Sequence, residues 1–85
     1  MPTFHRLEVF DTVAKLGNIT RAARELHVSQ PAISYEIKLL EQELGVKLLK
    51  RKPTGVELTD SSSDLLNAVK NFLSQLQKFP KKDRQ

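Results

Sequence analysis

The sequence contains no cysteine, only three glycines and no long apolar run. The lack of thiols excludes disulfides, thiolate metal sites and cysteine nucleophiles, and is compatible with a cytoplasmic protein. So few glycines leave no room for a glycine-rich phosphate loop. His5 and His27 have no histidine or cysteine companion at ligand spacing, so neither a metal site nor a cofactor is expected. Apolar stretches of a few residues are too short to span a membrane, and the opening MPTFHRLEVF carries charges where a signal peptide needs a continuous apolar region. Nucleophilic catalysis requires a serine with a base and an orienting acid, whereas these serines fall at caps or within helical patterns; no enzyme is expected. What is present is enough for one small domain: 85 residues, 39% hydrophobic, can bury a modest core without staples.

Charge is unevenly spread. Of the net +4, residues 46–56 carry +4 through Lys47, Lys50, Arg51 and Lys52, and residues 78–85 carry +3, leaving −3 for the remainder. A mildly acidic body with one compact basic segment suits a domain that meets phosphate along one edge.

Periodicity divides the chain. Phe4, Leu7, Phe10, Val13 and Ala14 follow helical spacing up to Gly17, a left-handed stop. Asn18 is a favourable N-cap for a second helix that packs through Ile19, Ala22, Ala23 and Leu26 and ends near Leu26. Ser29 caps a third, with Pro31 in its first turn and Ile33, Ile37, Leu40 and Leu44 along one face as far as Gly45. Two helices separated by only three residues form a helix-turn-helix, although the turn has no glycine. Beyond Val46 the period shortens: Lys47–Arg51 and Val56–Thr59 flank a turn at Lys52–Gly55, predicting a two-stranded β wing. A fourth helix, capped by Thr59 or Asp60, runs to about Phe79, and Pro80 stops it. The predicted class is mainly α, a winged helix-turn-helix with a three-helix body. The expected organisation is a winged helix-turn-helix over residues 1–60, a linker or dimerisation helix over 61–80 and a charged tail over 81–85.

Within this plan, Asn18-Ile19-Thr20-Arg21-Ala22-Ala23-Arg24-Glu25-Leu26-His27-Val28-Ser29-Gln30-Pro31-Ala32-Ile33-Ser34, followed by Leu40-Glu41-Gln42-Glu43-Leu44-Gly45-Val46, resembles the N-terminal DNA-binding domain of LysR-type bacterial transcription regulators. The resemblance extends over roughly residues 4–76. It implies a transcription regulator that binds double-stranded DNA as a homodimer through its last helix and reads an interrupted palindrome. Tyr35 stands where the family usually has a basic residue, Glu36 where it has a neutral polar one, Leu49 where it often has Phe and Ser62 where it often has Gly. The first two lie on or beside the reading face and imply an unusual target sequence; the others look like packing variants. The family carries a ligand-binding domain after the fourth helix, so a small-molecule inducer is expected only with such a downstream domain.

Base edges in a major groove are reached from the N-terminal end of the inserted helix. That end holds Gln30, Pro31, Ser34 and Tyr35, the candidates for base reading. Thr20, Arg21, Ser29, Lys38, Arg51, Lys52 and Thr54 are the candidates for phosphate, with the wing along the backbone or in the minor groove. Wing lysines also protect an edge hairpin from aggregation. Leu65, Val69, Phe72, Leu76 and Phe79 repeat at intervals of 4, 3, 4 and 3, a coiled-coil seam. That seam serves either a dimer contact or packing onto the helix's own domain. An alternative function is a winged-helix protein-interaction module whose basic wing binds an acidic protein partner.

Overall fold

Side chains that accept a backbone N–H open each helix of the chain, and the computed structural model, which describes residues 3–79, shows all four caps in place. Thr3 accepts from Arg6 ahead of α1 (Phe4–Leu16), and Asn18 from Arg21 ahead of α2 (Ile19–Leu26). Ser29 accepts from Ala32 ahead of α3 (Gln30–Leu44), and Thr59 from Ser62 ahead of α4 (Asp60–Gln77). Such caps satisfy N–H groups that the helix itself cannot. Gly17 and Gly45 adopt left-handed conformations that end α1 and α3. His27 does the same for α2 with φ of 59°, taking the place of the glycine that the short turn lacks. Residues 81–85, expected to form a charged tail, and the expected stop at Pro80 lie outside the described residues.

Between α3 and α4 lies an antiparallel hairpin of β1 (Leu49–Lys52) and β2 (Gly55–Leu58). Lys52 pairs with Gly55, so Pro53 and Thr54 are the two central residues of a turn over Lys52–Gly55, where the sequence places it. Pro53 occupies the second turn position, which suits its fixed φ, and Gly55 the fourth. Gly55 also has a positional duty. Its φ is 141°, and a Cβ there would stand 2.8 Å from the Gly17 carbonyl oxygen. The Val56 N–H donates to that same oxygen at 3.3 Å, docking the hairpin onto the α1–α2 turn.

The core gathers Val9, Phe10 and Val13 of α1, Ile19, Ala22 and Ala23 of α2, Ile33, Ile37 and Leu40 of α3, and Leu48 just before β1. The adjacent alanines let α2 approach α1 and α3 closely. Two expectations fail here. Phe4 is 58% exposed, because the packed face of α1 runs through Val9, Phe10, Val13 and Leu16 and leaves Phe4 on the far side of the first turn. Leu44, at the last turn of α3, is likewise exposed.

Leu48 joins three elements. Its side chain is fully buried and its N–H donates to the Glu41 carboxylate of α3 at 2.8 Å. Its carbonyl accepts from the Thr59 N–H at 3.1 Å and from the buried Ser62 hydroxyl of α4. Glu41→Ala leaves that buried N–H unpaired and is expected to cost about 1.5–3 kcal/mol, with Glu41→Gln costing less; urea melts that superimpose on the parent's would refute this. His27→Gly relieves a left-handed strain of roughly 1–2 kcal/mol, partly offset by glycine's greater freedom when unfolded. A gain of about 0.5–1 kcal/mol in the same melts is the expected outcome.

Candidate nucleic-acid interface

The buried stripe of α3 determines what its opposite side can do. With Ile33, Ile37 and Leu40 turned inward, Pro31, Ser34, Tyr35 and Lys38, related by i, i+3 and i, i+4 spacings, share the outer face. They form one wall of an open groove of about 490 Å³ whose other wall includes Lys47, Leu49 and Arg51. Tyr35 is 61% exposed, and Pro31 and Lys38 are exposed as well. Gln30, at the start of the same helix, opens instead on a neighbouring depression of about 270 Å³, shared with Thr20 at the beginning of α2 and with Lys52 and Thr54 of the wing. Arg51 borders both.

Strand alternation explains this position. Leu49 packs against the core, so Arg51, two residues on, projects from the same face of the hairpin toward α3. Its guanidinium donates to the Ser34 Oγ at 2.8 Å. Lys52 falls on the other face, where its ammonium pairs with Glu57 at 3.1 Å. Thus Arg51 and Lys52 share the depression beside Gln30, but only Arg51 also lines the groove along α3.

Arg21 is not brought to this surface. Thr20 turns toward the wing, whereas Arg21 lies a further 100° around α2 and lines a separate depression with Leu16, Arg24, Glu25 and His27. Ser29 is exposed and lines neither the groove nor the depression beside Gln30, and its oxygen is engaged as the cap of α3. Glu36, adjacent to Tyr35 in sequence, is not on or beside the reading face. It turns to α1, where the Arg6 guanidinium donates to Glu36 at 2.9 Å and to Glu43 at 2.6 Å. Arg6 is located on the packed face of α1, so it requires such partners. The bond to Glu36, followed by that to Glu43, holds its pKa above the ordinary arginine value. Of the two departures, only Tyr35 lies on the open groove.

Sequence reasoning missed Glu41, which lines the groove while its carboxylate tethers the start of the wing, and Arg6, which ties α3 to α1. The carboxylate of Glu41 accepts from Leu48 and, at 3.4 Å, from Leu49. A charged residue on a helix face that otherwise packs was the available signal for both. Among the described residues no cluster of side chains suits a metal ion, and no helix is long and apolar enough to cross a membrane.

The expected seam on α4 is also divided. Leu65, partly buried, packs against the core and Val69 is buried within the chain itself. Phe72, Leu76 and Phe79 are exposed, at 51%, 48% and 71%.

Residues 4–62 match the family of bacterial regulatory helix-turn-helix proteins of lysR type. The chain belongs to the LysR family. This LysR-type domain is 47% identical over 70 residues to the transcriptional regulator ClcR of Pseudomonas putida, spanning 82% of the chain and 24% of ClcR. It is 39% identical over 82 residues to the glycine cleavage system transcriptional activator of Escherichia coli K12, spanning 96% of the chain and 27% of that protein. The chain thus spans about a quarter of the length of the curated relatives it matches. Among solved structures, the protein in the CbnR_DBD–DNA complex superposes with a TM-score of 0.83 at 39% identity, covering 89% of this chain and 87% of that one. The architecture described above is that of a LysR-type winged helix-turn-helix, a DNA-binding transcriptional regulator domain.

Proposed function

We propose that this LysR-type domain reads DNA sequence by placing the first turns of α3 in a major groove while the wing lies along the backbone or in the minor groove. The observation that carries the reading is the uncovered face of α3. Pro31, Ser34, Tyr35 and Lys38 stand in one row, facing the same groove as Arg51 of the wing, on a helix whose other sides are occupied. Gln30 suits the bidentate edge of adenine, Pro31 and the Tyr35 ring suit a thymine methyl, and Lys38 and the Ser29 hydroxyl suit phosphate. Thr20 and Thr54 add hydroxyls beside Gln30. A cytoplasmic location follows from such a partner.

Two copies meeting through Phe72, Leu76 and Phe79 would relate their recognition helices by a dyad, and an interrupted palindrome is the matching target. Small-molecule control belongs to this reading only with a downstream effector domain. Capture from a random duplex pool in the presence of excess scrambled competitor tests it: enrichment of a two-part symmetric site is expected, and no retention at low salt would overturn it.

Gln30→Ala is expected to relax preference at one half-site position by about 1–3 kcal/mol, whereas Lys38→Ala should weaken all duplexes alike and flatten the salt slope by about one unit. Titrations of selected and scrambled duplexes across salt check both. Leu76→Ser removes an exposed large apolar side chain without disturbing the core, so sedimentation should show a shift toward monomer with the melting transition unchanged. A monomer–dimer balance identical to the parent's would move the proposed contact elsewhere.

A further inference from the structure

We infer that Ser34 and Arg51 act as one unit, and that this pair selects a base presenting a hydrogen-bond acceptor at the half-site position it faces. The inference rests on the DNA-reading function proposed above and adds to it a chemical preference and a dependence between two residues. A serine hydroxyl by itself is indifferent: it donates one hydrogen and accepts at two lone pairs, and so serves any base edge. Here it is no longer indifferent. The Arg51 guanidinium donates to the Ser34 Oγ at 2.8 Å, which occupies acceptor capacity and sets a fixed positive charge beside the oxygen. A hydroxyl that accepts from a cation is polarised into a better donor. The remaining guanidinium N–H groups are donors without exception.

Both members are oriented before any duplex arrives. Ser34 is half-buried on α3 between the buried Ile33 and Ile37 and the exposed Tyr35. Arg51 is directed to it by the alternation that buries Leu49, and it pairs with no carboxylate among the described residues. Facing a major groove, the pair presents donors and positive charge. Guanine, with O6 and N7, thymine, with O4, and adenine, through N7, offer it acceptors; cytosine, whose edge offers only the N4 amino group, does not. Arg51 consequently contributes to sequence choice through Ser34 as a positioning residue, in addition to any phosphate it meets.

Selection from a random duplex pool by the 85-residue chain, by Ser34→Ala, Ser34→Thr, Arg51→Ala and by the double alanine variant tests the inference. The parent should exclude cytosine, the one base whose major-groove edge offers no acceptor, at one half-site position. Ser34→Ala and Arg51→Ala should both lose that preference while retaining the others, and Ser34→Thr, which restores a hydroxyl, should recover it. Each single alanine variant should bind the parent's selected duplex about tenfold more weakly, and the double variant little worse than either, because the two changes remove the same contact. Losses that multiply to about a hundredfold, with every base preference intact in Arg51→Ala, would show two independent residues and overturn the pair while leaving DNA reading in place. A parent chain that recovers no site from the pool would overturn the DNA reading, and the pair with it.

Discussion

The arrangement of this domain depends on the backbone of one residue, Leu48. Its N–H is bound by a carboxylate of α3, its carbonyl by a backbone amide and a hydroxyl at the start of α4, and its side chain fills the core. A peptide group buried away from water must find partners within the protein, and here they come from the two helices that flank the hairpin. The wing, α3 and α4 are therefore not hinged separately. Whatever orients the recognition helix also orients the hairpin beside it, and the polar atoms of the two can be matched at the level of a single hydrogen bond, as between Arg51 and Ser34.

Around that point α3 is held on three sides. Ile33, Ile37 and Leu40 face the core, Glu36 and Glu43 reach the Arg6 guanidinium of α1, and Glu41 reaches the wing. Two of these tethers use charge at partly buried positions, where an unpaired carboxylate or guanidinium is costly and a paired one specifies geometry. The face that remains carries Pro31, Ser34, Tyr35 and Lys38. None of those four is acidic, the carboxylate of Glu41 that also lines the groove is engaged by the Leu48 and Leu49 amides, and a tyrosine in the row turns part of the surface from charge toward apolar contact. The expected consequence is a domain that depends less on non-specific phosphate attraction than one carrying a basic residue at that position.

Local chemistry made much of this legible. Thr59, Ser29 and Asn18 are caps by composition and by spacing, Gly17 and Gly45 are stops, and Pro53 and Gly55 mark a turn; each rule concerns residues within four of one another. The face of α3 followed from the same arithmetic. What escaped notice involves partners distant in sequence. Nothing near Arg6 announces Glu36 and Glu43, thirty and thirty-seven residues away, and nothing near Glu41 announces an unpaired amide at Leu48. The packed stripe of α1 was read through Phe4 instead of Val9 because large aromatics dominate a hydrophobic count, whereas burial follows angle. The separation of Arg51 from Lys52 was within reach: strand alternation from the apolar Leu49 assigns them to opposite faces, but a run of positive charge invites reading by sign alone.

The fate of α4 shows how one apolar pattern can serve two purposes. A seam repeating every 3.5 residues does not reveal where the helix leaves its own domain, since the same residue types suit intramolecular and intermolecular packing. The body covers Leu65 and Val69 and stops, leaving Phe72, Leu76 and Phe79. A phenylalanine buries on the order of 200 Å² when fully covered, so three side chains that are already partly shielded contribute a few hundred Å² from each copy. Stable interfaces bury about 800 Å² per partner, and the seam alone falls short of that. Two half-sites on one duplex would hold two copies at an effective concentration in the millimolar range, enough to make a weak contact matter. In the proposed dimer, then, the palindrome helps assemble the protein that reads it.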